Sequence, residues 1–149
     1  MSETRGFTLF DDLELHMQFA PVCRLSDGAL AALELQVRGP AGTRLSTADA
    51  LRRAARMVEQ HTVLDDRKRL LAHSSRAQSV AKILPLLVSL DLDLIDLVDD
   101  ATAEVLERHV MVVAPDAVTR SPQRTLARVA RARAAGKIVC VDGLVRNTD

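Results

Sequence analysis

The chain has 149 residues, of which 48% are hydrophobic and 27% charged, and its twenty basic residues balance twenty acidic ones. That length holds one domain with a real core, and a net charge of zero excludes a field that would steer the chain to nucleic acid or to an anionic membrane surface. Aromatic residues are 2%, with no Trp and no Tyr, so base-stacking platforms are nearly absent and the core must be Leu, Val, Ile and Ala.

Residues 1–12 are polar apart from Phe7, Leu9 and Phe10, and read as a loosely ordered start to a single domain over 1–149. Leu13 to Leu25 reads as a first strand. Ser26-Asp27-Gly28 follows, and Asp-Gly between two apolar runs predicts a hairpin. The second strand, Leu30 to Gly39, places Glu34, Gln36 and Arg38 on one face and Leu33, Leu35 and Val37 on the other. A polar row on an otherwise buried strand needs partners, a ligand or water. Both readings stand here: a wet face, with Glu34 and Arg38 pairing locally, or a binding face.

A loop from Gly39 leads to Ser46 or Thr47, which caps a helix from about Ala48. A second helix is predicted from about Leu64 through Ile83, closed by Pro85, with Asp65 and Asp66 near its start. Leu86 to Asp91 is a short buried strand, and Asp93 to Arg108 a helix. His109 to Ala114 is continuously apolar, as in a central parallel strand covered on both faces. Pro122 opens a helix that Gly136 closes, and Lys137 to Asp142 is a last buried strand. Strand–helix alternation with short links gives a parallel sheet behind an antiparallel hairpin.

Cys23 and Cys140 are too few for a disulfide framework and lack metal-ligand spacing. Each lies in a strand-like run and reads as a small buried thiol. No stretch approaches the roughly 20 apolar residues of a membrane span. The start of the chain lacks an apolar signal region behind a positive end, so the expected compartment is the cytoplasm. Arginines 124, 128, 131 and 133 form a basic stripe without acidic neighbours in sequence, which suits an acidic partner or a nucleotide phosphate.

The run Phe19-Ala-Pro-Val-Cys-Arg-Leu-Ser-Asp-Gly28, followed by Ala32-Leu-Glu-Leu-Gln-Val-Arg38, resembles the opening of EAL domains, the bacterial cyclic-di-GMP phosphodiesterases. The signature triplet reads Glu34-Leu35-Gln36. Leu64-Asp65, Val88-Ser-Leu-Asp91, Val110-Met-Val-Val113 and the stretch from Ala134 to Leu144 resemble later family segments, in order. The fold this implies is α/β, a partial TIM-like barrel with a leading antiparallel hairpin and then parallel strands alternating with helices.

The family's enzymes hold two metal ions on carboxylates and an amide at strand ends, which generate a hydroxide for hydrolysis. By the resemblance, Glu34 keeps the first ligand position and Asp91 occupies the amide position. Met111 stands where a carboxylate is expected, and Gly143 leaves Asp142 as the remnant of a paired aspartate. A thioether is a poor ligand for a hard divalent ion. Read as complete, the chain stops before the strands that carry the family's catalytic Lys.

The expectation is therefore a degenerate, C-terminally shortened EAL-like domain, not an enzyme, with no cofactor and no metal. Glu34, Arg38, Asp91 and Asp142 are its candidate ligand-binding remnants, although Asp91 and Asp142 equally suit helix capping. The open barrel edge predicts a homodimer or another signalling protein as cover. Binding of cyclic-di-GMP without hydrolysis is the alternative.

Overall fold

The computed structural model describes residue 10, residues 12–93 and residues 108–141. The hairpin turn forms at the Asp-Gly step. Gly28 has φ +69°, Asp27 accepts from the Ala29 N–H at 3.0 Å, and the Arg24 N–H donates to the Ala29 carbonyl at 2.9 Å. It joins β1 (His16–Cys23) to β2 (Leu30–Arg38), paired antiparallel.

Two helices, α1 (Ala48–Met57) and α2 (His61–Ala72), follow, then α3 (Ser75–Ala81), β3 (Leu86–Asp91), β4 (Arg108–Val113), α4 (Pro115–Arg120), α5 (Pro122–Ala134) and β5 (Ile138–Val141). Thr47 caps α1 through its hydroxyl, which accepts from the Ala50 N–H at 3.1 Å. Pro122 opens α5, and Gly136, at φ +73°, follows its end.

The five strands form one sheet in sequence order, with β2, β3, β4 and β5 parallel and β1 against them. The described strands do not close a barrel, since β1 and β5 are the two ends of the order. Its helix-covered face carries the core. Leu35, Leu86, Val88, Leu90, Met111 and Val113 pack there with Ala72 of α2, Ala77 of α3 and Ala132 of α5. A second cluster joins Val37 to Leu51, Ala55, Leu64 and Phe10.

Several expectations change. The long helix expected from Leu64 to Ile83 is two helices. Ser74 breaks it, its hydroxyl accepting from the Ala77 N–H at 3.3 Å as an N-cap. The α2 helix also starts earlier, at His61, which places Asp65 in its second turn. The link after β4 contains a short helix, α4, opened by Pro115. Cys23 is exposed and Cys140 half-buried, so neither is the enclosed thiol predicted. The helix expected from Asp93 to Arg108 falls mostly outside the described residues, and Arg108 itself begins β4.

Candidate functional site

The pairing register sorts the site residues into rows across the sheet face opposite Leu35, Leu90 and Met111. Residues aligned across the strands share a face. One row runs Ala20, Glu34, Leu87, Arg108. The next contains Ser89, Val110 and Ile138, and the one beyond it Asp91, Val112 and Cys140. Glu34 is thus level with Leu87, while Asp91 lies four residues further along β3. Four residues of strand are about 13 Å. The structure does not bring these two carboxylates together. Arg38 sits at the end of β2 level with His16 and donates to the Gly39 carbonyl at 3.2 Å, so it neither pairs with Glu34 nor reaches Asp91. Asp142 lies outside the described residues.

Met111 is fully buried and aligned with Leu90 and Val139 on the helix-covered side. It is therefore not a side chain substituted into a ligand row. The β4 residues that share the face of Glu34 and Asp91 are Val110 and Val112, 6% and 8% exposed. The resemblance placed the missing carboxylate one residue off, but the chemical outcome is the same: β4 offers hydrocarbon to that face.

Asp91 is already occupied. Its Oδ1 accepts from the Asp93 N–H at 2.9 Å, the capping role its position allows, and its Oδ2 meets Arg56 Nη2 at 3.0 Å. Burial pushes the Asp91 carboxyl above the usual carboxylate range. The Asp93 N–H opposes that shift, the Asp93 carboxylate adds to it, and Arg56 and His61 oppose it. Asp93 is held by Arg128 of α5 and lies 3.5 Å from His61 Nε2. Within the arginine stripe of α5, Arg128 is therefore paired with an acid from just past the end of β3.

His61, Asp91 and Asp93 can bring one ligand atom each within 4.8 Å of one another. The donor set does not fit a hard divalent ion, because guanidinium groups already neutralise both carboxylates. Around this cluster lies a cleft of about 490 Å³ at the C-terminal ends of β3 and β4, lined also by Arg120, Arg124 and Ser121.

Asp65 and Lys68 have a role beyond the helix-start position read for Asp65. The strands β2 and β3 pair at Leu33–Leu86, Glu34–Leu87 and Leu35–Val88, and no further. The Leu33 N–H donates to the Pro85 carbonyl at 2.9 Å, so odd-numbered residues of β3 point their backbone groups toward β2. Beyond the last pair, side chains of α2 replace the missing strand. Asp65 Oδ2 accepts from the Asp91 N–H at 2.8 Å, and Lys68 Nζ donates to the Ser89 carbonyl. The two side chains are also 3.4 Å apart and nearly buried. An i, i+3 acid–base pair on a helix is usually solvated, which is why the sequence concealed this one.

Comparison with protein-family models and with curated proteins gives no match. Solved structures do match, and they define the fold as EAL-like. The Vibrio cholerae LapD S helix-GGDEF-EAL structure, bound to c-di-GMP, is similar over 91% of this chain and 35% of its own, at 13% identity and a TM-score of 0.54. The Klebsiella pneumoniae BlrP1 calcium/cy-diGMP complex matches over 90% and 36%, at 13% identity and 0.55. The PaMucR phosphodiesterase, in complex with c-di-GMP, matches over 89% and 60%, at 17% identity and 0.53. The chain spans between about a third and three fifths of the length of these structures, and the likeness is one of fold.

Proposed function

We propose that this protein is a catalytically inactive EAL-like regulatory domain that acts by binding another protein in cyclic-di-GMP-related signalling. The observation that carries the reading is the separation of Glu34 from Asp91, with valines between strands where a further ligand would be needed. Two-metal hydrolysis requires ions about 4 Å apart, held by carboxylates that converge on both. Here one carboxylate is isolated and the other is consumed by Arg56 and the Asp93 N–H. The c-di-GMP named in the LapD, BlrP1 and PaMucR structures supports the signalling context.

On this reading the chain also self-associates. The β5 strand ends the described sheet, and Ile138 and Val141 on it are exposed. Sedimentation at micromolar concentration should give a dimer, and a stable monomer would count against it.

A second reading, binding of cyclic-di-GMP without hydrolysis, rests on the cleft lined by Arg56, Arg120, Arg124 and Arg128. Guanidinium groups suit phosphodiester oxygens. Against it, Arg56, Arg120 and Arg128 already pair with Asp91, Asp116 and Asp93. Calorimetric titration of cyclic-di-GMP with manganese present, followed by chromatography of the nucleotide, tests both. The first reading expects neither heat nor product. Heat without product favours the second, and product overturns both.

A further inference from the structure

The Glu34 carboxylate has no hydrogen bond or ion pair to any described residue, although the residue is half-buried. The register gives the reason. Its neighbours in the row are Ala20 on one side and Leu87 on the other, and neither offers a donor. A partly desolvated carboxylate without a donor is costly, and a ligand that supplies the donor offsets that cost.

Glu34 lines a cavity of about 310 Å³ together with Gln18, Gln36, Asp49, Arg52, Asp65 and Lys68. The other charges of the lining have partners, and Asp49 is also held by Arg53 from outside it. Arg52 meets Asp49 at 3.2 Å, and Lys68 meets Asp65 at 3.4 Å. Gln18 donates to Gln36 at 3.0 Å, which ties the β1 and β2 walls together. Glu34 is therefore the one charged group of the lining that has no ion-pair partner among the described residues.

Those features select the ligand. A hard divalent ion wants six or more oxygens, and this cavity offers one uncommitted carboxylate. A monovalent cation that carries N–H donors satisfies both the charge and the hydrogen-bond deficit. The volume lies at the small end of ligand cavities, of which the usual range starts near roughly 300 Å³. We propose that this cavity binds a small organic monocation, an alkylammonium or guanidinium group, anchored on Glu34.

The test is an amide-shift NMR titration of the full chain with methylammonium and guanidinium chlorides. Tetramethylammonium at equal ionic strength controls for charge without donors. The amides of Gln18, Glu34 and Gln36 should shift and saturate with either N–H cation, and not with tetramethylammonium. Glu34→Gln should weaken binding about tenfold or more, the scale of a lost charge-assisted hydrogen bond. Circular dichroism checks that this variant folds, and Glu34→Asp, which keeps the charge but shortens the reach, should weaken binding less. Asp66→Asn, an exposed carboxylate of α2 outside this cavity, should leave binding unchanged. No saturable shift, equal response to tetramethylammonium, unchanged affinity in Glu34→Gln, or tighter saturation of the same amides by magnesium would each overturn the proposal.

Discussion

Two seams of the same sheet are held by different chemistry. From β3 to β5 the strands are joined by backbone pairing, five aligned positions between β3 and β4 and four between β4 and β5. Between β2 and β3 that pairing lasts three positions, after which Asp65 and Lys68 reach in from α2 and satisfy the exposed backbone of β3. A backbone seam depends little on which apolar side chain occupies each position. A side-chain seam depends on two residues, and removing one strands the other. The side-chain seam also lies beside Glu34, since Asp65 and Lys68 line its cavity.

Breaking the side-chain seam should have the largest effect. Lys68→Met leaves Asp65 nearly buried without its cation and the Ser89 carbonyl without its donor. Loss of one partner from a buried pair costs about 3–5 kcal/mol, to be read from denaturant unfolding. The double change Asp65→Asn with Lys68→Met should recover part of that loss, because Asn still accepts from the Asp91 N–H. Full additivity of the two single losses would contradict the coupling.

The backbone seam should tolerate polar changes and respond to volume. Met111→Ala removes a fully buried side chain packed beneath the helices and should cost about 2–4 kcal/mol. A cost well under 1 kcal/mol would contradict the placement of Met111 in this core. Smaller still, Ser74→Ala removes the cap that divides α2 from α3 and should cost about 1 kcal/mol.

The last effect is a pH dependence at the end of β3. Burial raises the Asp91 carboxyl in the folded chain above its unfolded value of about 3.9. Between those two values the folded state binds more protons than the unfolded one, so stability falls as pH rises through that window. Asp91→Asn should flatten this segment of the stability–pH curve. A curve of the same shape in the variant would place the titration elsewhere.

The hairpin, the α1 cap, Pro122 and Gly136 were legible because each is a local device: a residue type fixes a dihedral angle or supplies one hydrogen bond. The alternation of Glu34, Gln36 and Arg38 against Leu35 and Val37 was legible for the same reason, a period of two. The run from His109 to Ala114 has no such period. Nothing in it says which side Met111 faces, and the register that decides this is set by strands elsewhere in the chain. The break at Ser74 was present as a capping residue, but the helical spacing of apolar residues continues across it. The pairings of Asp93 with Arg128 and of Asp65 with the Asp91 N–H join residues far apart in sequence, and no spacing rule reaches them.

The anomalous signal of manganese in a soaked crystal tests the separation of the two carboxylates most directly. The account predicts no ion within ligand distance of both Glu34 and Asp91, since the register sets them about 13 Å apart. An anomalous peak bound by both carboxylates would mean that they share an ion, and the case for an inactive scaffold would fall.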